Sequence, residues 1–191
     1  IAEKNPKTEQ MINKISHTLI TQINILSDIA TSFSNFTSMP EPKPELMNLG
    51  AALRKAVDLH NNPASVTTTV RIPKEPVMVM ADEALMVRTF NNLLLNAIQA
   101  VPADRQPEIK LELRVEADDT ALIAIADNGS GIPAEIQHKV FIPNFSTKYT
   151  GSGIGLAVAK KGIENAGGRI WFATEEGEGT TFYISLPLAK P

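Results

Sequence analysis

A chain of 191 residues with 43% hydrophobic and 20% charged residues has the composition of a soluble globular protein large enough for a real core. Its formal charge of −3 argues against a broad nucleic-acid or membrane-surface contact, though not against a small local anion site. It has no cysteine, so disulfides and thiolate metal sites are excluded, and no apolar run of about 18 residues is present to span a membrane.

The chain opens at "IAEKNPKTEQ", without Met or a signal-like apolar region, and reads as a piece of something longer, expected in a reducing cytoplasm. Residues 9–39 predict one long helix. Ile12, Ile15, Leu19, Gln22, Leu26, Ile29, Phe33 and Phe36 are spaced alternately three and four apart, and Ile23, Ile25 and Ala30 widen that seam into a bundle-type face. "MPEPKPE" (39–45) stops the helix with three prolines, which places a domain boundary between residues 1–44 and 45–191. Asn48 can cap a helix running to about His60, and "SVTTTVRI" and "VMVMA" then read as strands. Asp82 caps the helix that carries "NNLLLNAIQA" (91–100), whose Leu93, Leu94, Leu95, Ala97, Ile98 and Ala100 are expected in the core. "EIKLELRVEA" and "TALIAIAD" alternate apolar and polar residues around Asp118-Asp119, a hairpin signal. A short helix at "PAEIQHKVF", a polar loop at 144–153, a helix at 154–166 and two last strands follow. The mixture lacks a regular βαβ rhythm and predicts an α+β fold, a two-layer sandwich with one helical layer over a mixed sheet, preceded by the long helix.

Three stretches carry chemistry. Asn92 and Asn96 lie at i and i+4, with Gln99 at i+7, on one helical face. Amide oxygens there are hard neutral ligands suited to Mg²⁺, and the plainer reading is a pair of buried amides bonded to backbone. In "DNGSGIP" (127–133), Asp127 ends a strand as an acceptor for an exocyclic amine such as adenine N6, while Gly129 and Gly131 permit a close backbone approach. "GSGIGLAVAKKG" (151–162) puts three glycines at a helix start, where free N–H groups and the helix dipole favour an anion. It is neither a dinucleotide fingerprint after a first strand nor a P-loop. Lys148 in "NFSTK" offers a movable cation, and Phe141 and Phe145 flank the loop, where packing anchors are the plainer reading.

In this order the pieces resemble the catalytic and ATP-binding domain of sensor histidine kinases, in the ATPase superfamily shared with gyrase, the heat-shock chaperone and mismatch-repair proteins. "NLLLNAIQA" resembles the asparagine box, "DNGSGIP" the first glycine box and "FIPNFSTK" the phenylalanine box. "GSGIGL" and "GEGTTF" resemble the second and third glycine boxes, and the likeness covers roughly residues 45–188. The preceding helix is similar to the second dimerisation helix of the nitrogen-regulation type. The resemblance implies the Bergerat-type ATP-binding fold and ATP with Mg²⁺ as cofactors. It further implies a response-regulator receiver domain as partner and a homodimeric parent, while charge and hydropathy give no expectation of nucleic-acid contact or of membrane contact by this chain.

It also implies roles for single residues. Asn96 would hold Mg²⁺ with help from Asn92, and Lys148 would meet a phosphate from the lid. Asp127 would select adenine, Gly129 and Gly131 would admit the ring, and Gly151, Gly153 and Gly155 would wrap the phosphates. Ile132, Gln99, Phe145, Thr147, Leu156 and Thr180 complete the expected nucleotide contacts. Two departures stand out: Gln99 occupies a position often held by lysine, and a phospho-acceptor box is missing, since His17 in "SHTLITQ" lacks the acidic neighbour and following proline of that motif. His60 and His138 show no partner pattern. The hydrolysing relatives carry a glutamate where Asn92 stands, and an amide cannot take a proton from water at neutral pH. The implied activity is therefore phosphoryl transfer from ATP to a histidine elsewhere. The rivals are a protein-serine kinase or ATPase of the same fold, and a nucleotide-sensing scaffold without transfer.

Overall fold

The alternation in "EIKLELRV" and "TALIAIAD" forms the centre of a sheet, because a period of two gives each strand one apolar face to bury. The structure is a computed structural model and describes residues 11–12, 14–23, 26–27, 42–60, 65–146 and 153–190. Its elements run α1 (helical over the described residues 11–12, 14–23 and 26–27), β1 (Glu45–Asn48), α2 (Leu49–Asp58), β2 (Thr67–Arg71), β3 (Met78–Ala81) and α3 (Glu83–Gln99). They continue with β4 (Glu108–Val115), β5 (Thr120–Asp127), α4 (Ala134–Gln137), α5 (Gly155–Asn165), β6 (Arg169–Glu175) and β7 (Gly179–Pro187).

Five strands form one sheet in the order β2-β4-β5-β7-β6, in which β2 and β4 are parallel and the other pairs antiparallel. The expected hairpin is present, with Val115 opposite Ala121 and Asp119 at a φ of 58° in its turn. Ile109, Leu111, Leu113, Ile123, Ile125, Ile184 and Leu186 face inward and are buried. The opposite face keeps Lys110, Glu112 and Arg114 in solvent and stacks Trp171 on Tyr183 at 5.5 Å between ring centroids. A single helical layer covers the inner face: α3 packs on α2, α5, β4 and β5, and α5 on β6.

The caps read from sequence are in place. Asn48 Oδ1 accepts from the N–H groups of Gly50 (3.0 Å) and Ala51 (3.4 Å), and Asp82 Oδ1 accepts from Leu85 N–H at 3.0 Å. Asp82 Oδ2 also accepts from Lys43 N–H at 3.1 Å, so this cap ties the segment before β1 to the start of α3. Where α3 crosses α5, the contact is close. A Cβ at Gly162 would lie 2.9 Å from Thr89 Oγ1, which is buried without a hydrogen-bond partner among the described residues.

Several expectations need correction. "VMVMA" is a strand, but it pairs with a strand the sequence reading missed: β1 and β3 make a separate antiparallel pair, with Leu46 opposite Met80. The prolines at 40–44 end before β1 begins, and the strand itself is only four residues long, too short for its alternation to show. The helix expected over "PAEIQHKVF" is confined to Ala134–Gln137 and continues as turns. In α3, Leu93, Leu94 and Ala97 are core residues, but Ile98 and Ala100 are half-buried and Leu95 is 39% exposed. On α1, the described seam residues Ile12, Ile15, Leu19 and Leu26 are all exposed, while Ile29, Phe33, Phe36 and the rest of the predicted helix lie outside the described residues.

Candidate functional site

The exposure of Leu95 has a simple cause. Asn92, Leu95, Asn96 and Gln99 stand at i, i+3, i+4 and i+7, so they share one stripe of α3, and that stripe forms a wall of a cavity of about 570 Å³. Asp127 and Thr180, from the ends of β5 and β7, line it on the sheet side together with Phe182. The loop after β5 adds Ser130, Gly131, Ile132 and Pro133, and α4 and the turns after it add Ile136 and Val140. Phe145, Ser146, Gly153, Gly155 and Leu156 close the side next to the start of α5. The fold therefore brings together most of the residues expected from sequence. Thr147, Lys148 and Gly151 lie outside the described residues.

Asn92 Nδ2 donates to the carbonyl of Gly155, the first residue of α5, at 3.3 Å. The plainer reading of a buried amide bonded to backbone is thus half right for Asn92. With its nitrogen engaged, the amide oxygen is the atom left to serve as a ligand. Among the described residues, helix α5 starts without a side-chain cap, and its first turn holds no acidic residue. The free N–H groups and the dipole at such a helix start favour an anion.

Asp127 is built into the wall through its own backbone surroundings. Its Oδ1 accepts from Gly129 N–H at 2.9 Å and from Thr180 N–H at 3.2 Å, which joins the loop after β5 to the start of β7. The glycines of this region answer to protein contacts. Gly131 has a φ of +71°, and a Cβ there would lie 2.2 Å from Glu175 O; at Gly129 it would lie 2.8 Å from Ala100 O. The loop is gripped from both sides. Ser130 N–H donates to Ala100 O at 3.0 Å, and Gly177 N–H donates to Ser130 O at 2.8 Å. Arg105 adds a hydrogen bond from Nη1 to Asn128 O at 2.7 Å. Three backbone segments meet here too closely for a side chain to stand between them.

The two flanking phenylalanines divide. Phe141 sits in an aromatic cluster with Phe172 and Phe182, at centroid distances of 6.0 and 6.3 Å, and is a packing anchor as the plainer reading has it. Phe145 lines the cavity. Among the histidines, His17 lies exposed on α1, and His60 Nε2 is 2.5 Å from Asn91 Oδ1, a partner that sequence spacing did not reveal. Of the lining residues missed from sequence, Leu95, Ile136, Val140 and Phe182 are apolar and Ser130 and Ser146 are polar; for Leu95 the i+3 relation to Asn92 was the available signal. No group of three or more His, Cys, Asp or Glu side chains that could hold a metal occurs among the described residues.

Residues 81–190, more than half of the chain, match the family described as histidine kinase-, DNA gyrase B- and HSP90-like ATPase. The chain belongs to this family. Its domain is of the ATP-binding catalytic type found in sensor histidine kinases. It is 37% identical over 116 residues to the phytochrome-like protein Cph1 of Synechocystis, covering 59% of this chain and 15% of that protein. It is 28% identical over 172 residues to the sensor protein kinase WalK of Staphylococcus aureus, covering 86% of this chain and 41% of that protein. The chain thus spans less than half the length of these curated relatives. Among solved structures, the mycobacterial sensor histidine kinase MprB is 25% identical, with a TM-score of 0.67, over 78% of this chain and all of that one. The nucleotide-free catalytic domain of the histidine kinase ThkA is 28% identical, with a TM-score of 0.66, over 76% of this chain and 95% of that one. No helix among the described residues is long and apolar enough to cross a membrane.

Proposed function

We propose that the domain binds ATP with Mg²⁺ in the cavity and hands the γ-phosphoryl group to a histidine supplied by a separate dimerisation helix, not to His17. The observation that carries this reading is the convergence on one cavity of the α3 amides, the Asp127 carboxylate and the glycine-bearing start of α5. Asp127 receives the exocyclic amine of adenine, Leu95, Ile132, Ile136 and Leu156 offer apolar contact to the ring, and Gly153 and Gly155 leave room for phosphates against the N–H groups of α5. Thr147, Lys148 and Gly151, close in sequence to Gly153, would complete the phosphate contacts. The residues present fit Mg²⁺ brought in with the nucleotide, since amide oxygens at Asn92 and Asn96 are hard ligands that leave most of the charge balance to phosphate. When bound, the ion neutralises charge on the phosphates.

The chain's own residues then position the nucleotide. Asn92 cannot deprotonate water, so its position offers no general base for hydrolysis, and a nucleophile that reaches in line with the γ-phosphate is favoured. The exposed apolar seam of α1, from Ile12 to Leu26, suits helix pairing in a homodimer of the nitrogen-regulation type. A response-regulator receiver domain would accept the phosphoryl group afterwards, in the cytoplasm.

Incubation with γ-labelled ATP and Mg²⁺ tests the proposal. The domain should stay almost unlabelled alone and should place acid-labile label on an added dimerisation helix bearing a histidine box. Asn96→Ala should abolish that transfer and the Mg²⁺-dependent part of the ATP affinity. Steady release of inorganic phosphate without label on the helix would identify a hydrolase and refute the transfer reading.

A further inference from the structure

Thr174, on β6, was not a candidate from sequence and does not line the cavity. Its hydroxyl nevertheless meets three partners: Ile132 N–H at 2.9 Å, Gly179 O at 3.0 Å and Thr180 Oγ1 at 3.0 Å. A hydroxyl has one proton and two lone pairs. A carbonyl can only accept, so the Thr174 proton goes to Gly179 O. A backbone N–H can only donate, so Ile132 occupies one lone pair. The remaining lone pair must receive the proton of Thr180.

Thr180 is 5% exposed and lines the cavity, and its N–H donates to Asp127 Oδ1. With its own hydroxyl proton committed to Thr174, Thr180 turns only lone pairs toward a ligand. We propose that Thr174 is a specificity-determining positioning residue, which fixes the Thr180 hydroxyl as an acceptor and so makes the Asp127–Thr180 wall acceptor-only. Such a wall suits a purine with an exocyclic amine and disfavours one with an exocyclic oxygen at the same position, because two acceptors then face each other without a proton between them. The proposal rests on reading the cavity as a nucleotide site. Thr174 acts through Thr180 and touches no ligand itself.

Calorimetric affinities for ATP and inosine triphosphate, which differ at the 6-position (amine against carbonyl) and at N1 (bare against protonated), test it. Each variant is compared with the unsubstituted domain, since the N1 difference is common to both. Thr174→Val removes the acceptor for the Thr180 proton, and Thr180 can then turn its hydroxyl toward an exocyclic oxygen. The preference for ATP over inosine triphosphate should narrow roughly five- to tenfold, the worth of one neutral hydrogen bond, and Thr174→Ser should restore it. A purely structural role would weaken both nucleotides alike. An unchanged ratio in Thr174→Val therefore overturns the proposal, whatever happens to the absolute affinities. If Thr174→Val fails to fold, Thr180→Val carries the same test: it removes the lone pairs from the wall, and an unchanged ratio there again overturns the proposal. Failure of the wild-type domain to bind either nucleotide would instead refute the nucleotide site.

Discussion

Gly131→Ala is the sharpest perturbation of the site that leaves every ligand-facing side chain in place. Gly131 sits at φ +71°, and its added Cβ would come within 2.2 Å of Glu175 O and 2.8 Å of Glu175 C. Gly177, in the turn that grips the same loop, has a φ of +89° but open space where its Cβ would go. The two positions separate backbone strain from collision. A left-handed conformation costs an alanine about 1–2 kcal/mol, and this applies to both. Only Gly131→Ala adds overpacking against backbone that cannot rotate away, about 1–3 kcal/mol more. The expected losses are therefore about 1–2 kcal/mol for Gly177→Ala and about 2–5 kcal/mol for Gly131→Ala, a large part of the stability of an ordinary domain. Urea denaturation with equal slopes for the two variants measures the difference. Equal losses for both variants would refute the claim that contact with β6 fixes the glycine, and would return it to a role in admitting the nucleotide.

Two further outcomes follow from the helix layer. Hydrogen bonds from Leu85 N–H and then Lys43 N–H hold the Asp82 carboxyl below the usual aspartate range. A lowered folded-state value means that this cap contributes fully above the usual range and is lost as pH falls below it through the lowered value, so Asp82→Ala should cost about 1 kcal/mol at neutral pH and much less in acid. Denaturation midpoints at several pH values read this, and a pH-independent loss would count against the cap. At the crossing of α3 and α5, Gly162→Ala should lose up to about 2 kcal/mol, because overpacking against Thr89 exceeds the gain of about 1 kcal/mol in helix propensity. In a Thr89→Ala background the same change should become neutral or stabilising; strict additivity of the two would show that the contact is not the cause.

The sequence by itself determined the features that depend on short-range periodicity and on motif order. The Asn48 and Asp82 caps, the β4–β5 hairpin and the helix α3 are local consequences of side-chain spacing, and each element stands where it was read, although Leu95 turned out not to be a core residue. The shared face of Asn92 and Asn96 is likewise a property of any helix. Tertiary structure decided what no local window contains. The pairing of β1 with β3 joins segments about thirty residues apart, and Leu95 could be placed on the cavity wall only once the stripe beside Asn92 was known to face a space. Gly131 reads in sequence as an opening for a ligand, yet its φ and its contact with Glu175 come from a strand more than forty residues later. Thr174 is one threonine among many until the sheet brings Ile132, Gly179 and Thr180 to its hydroxyl. The polarity of the wall is set by which partner takes each proton, and that depends on distances in space.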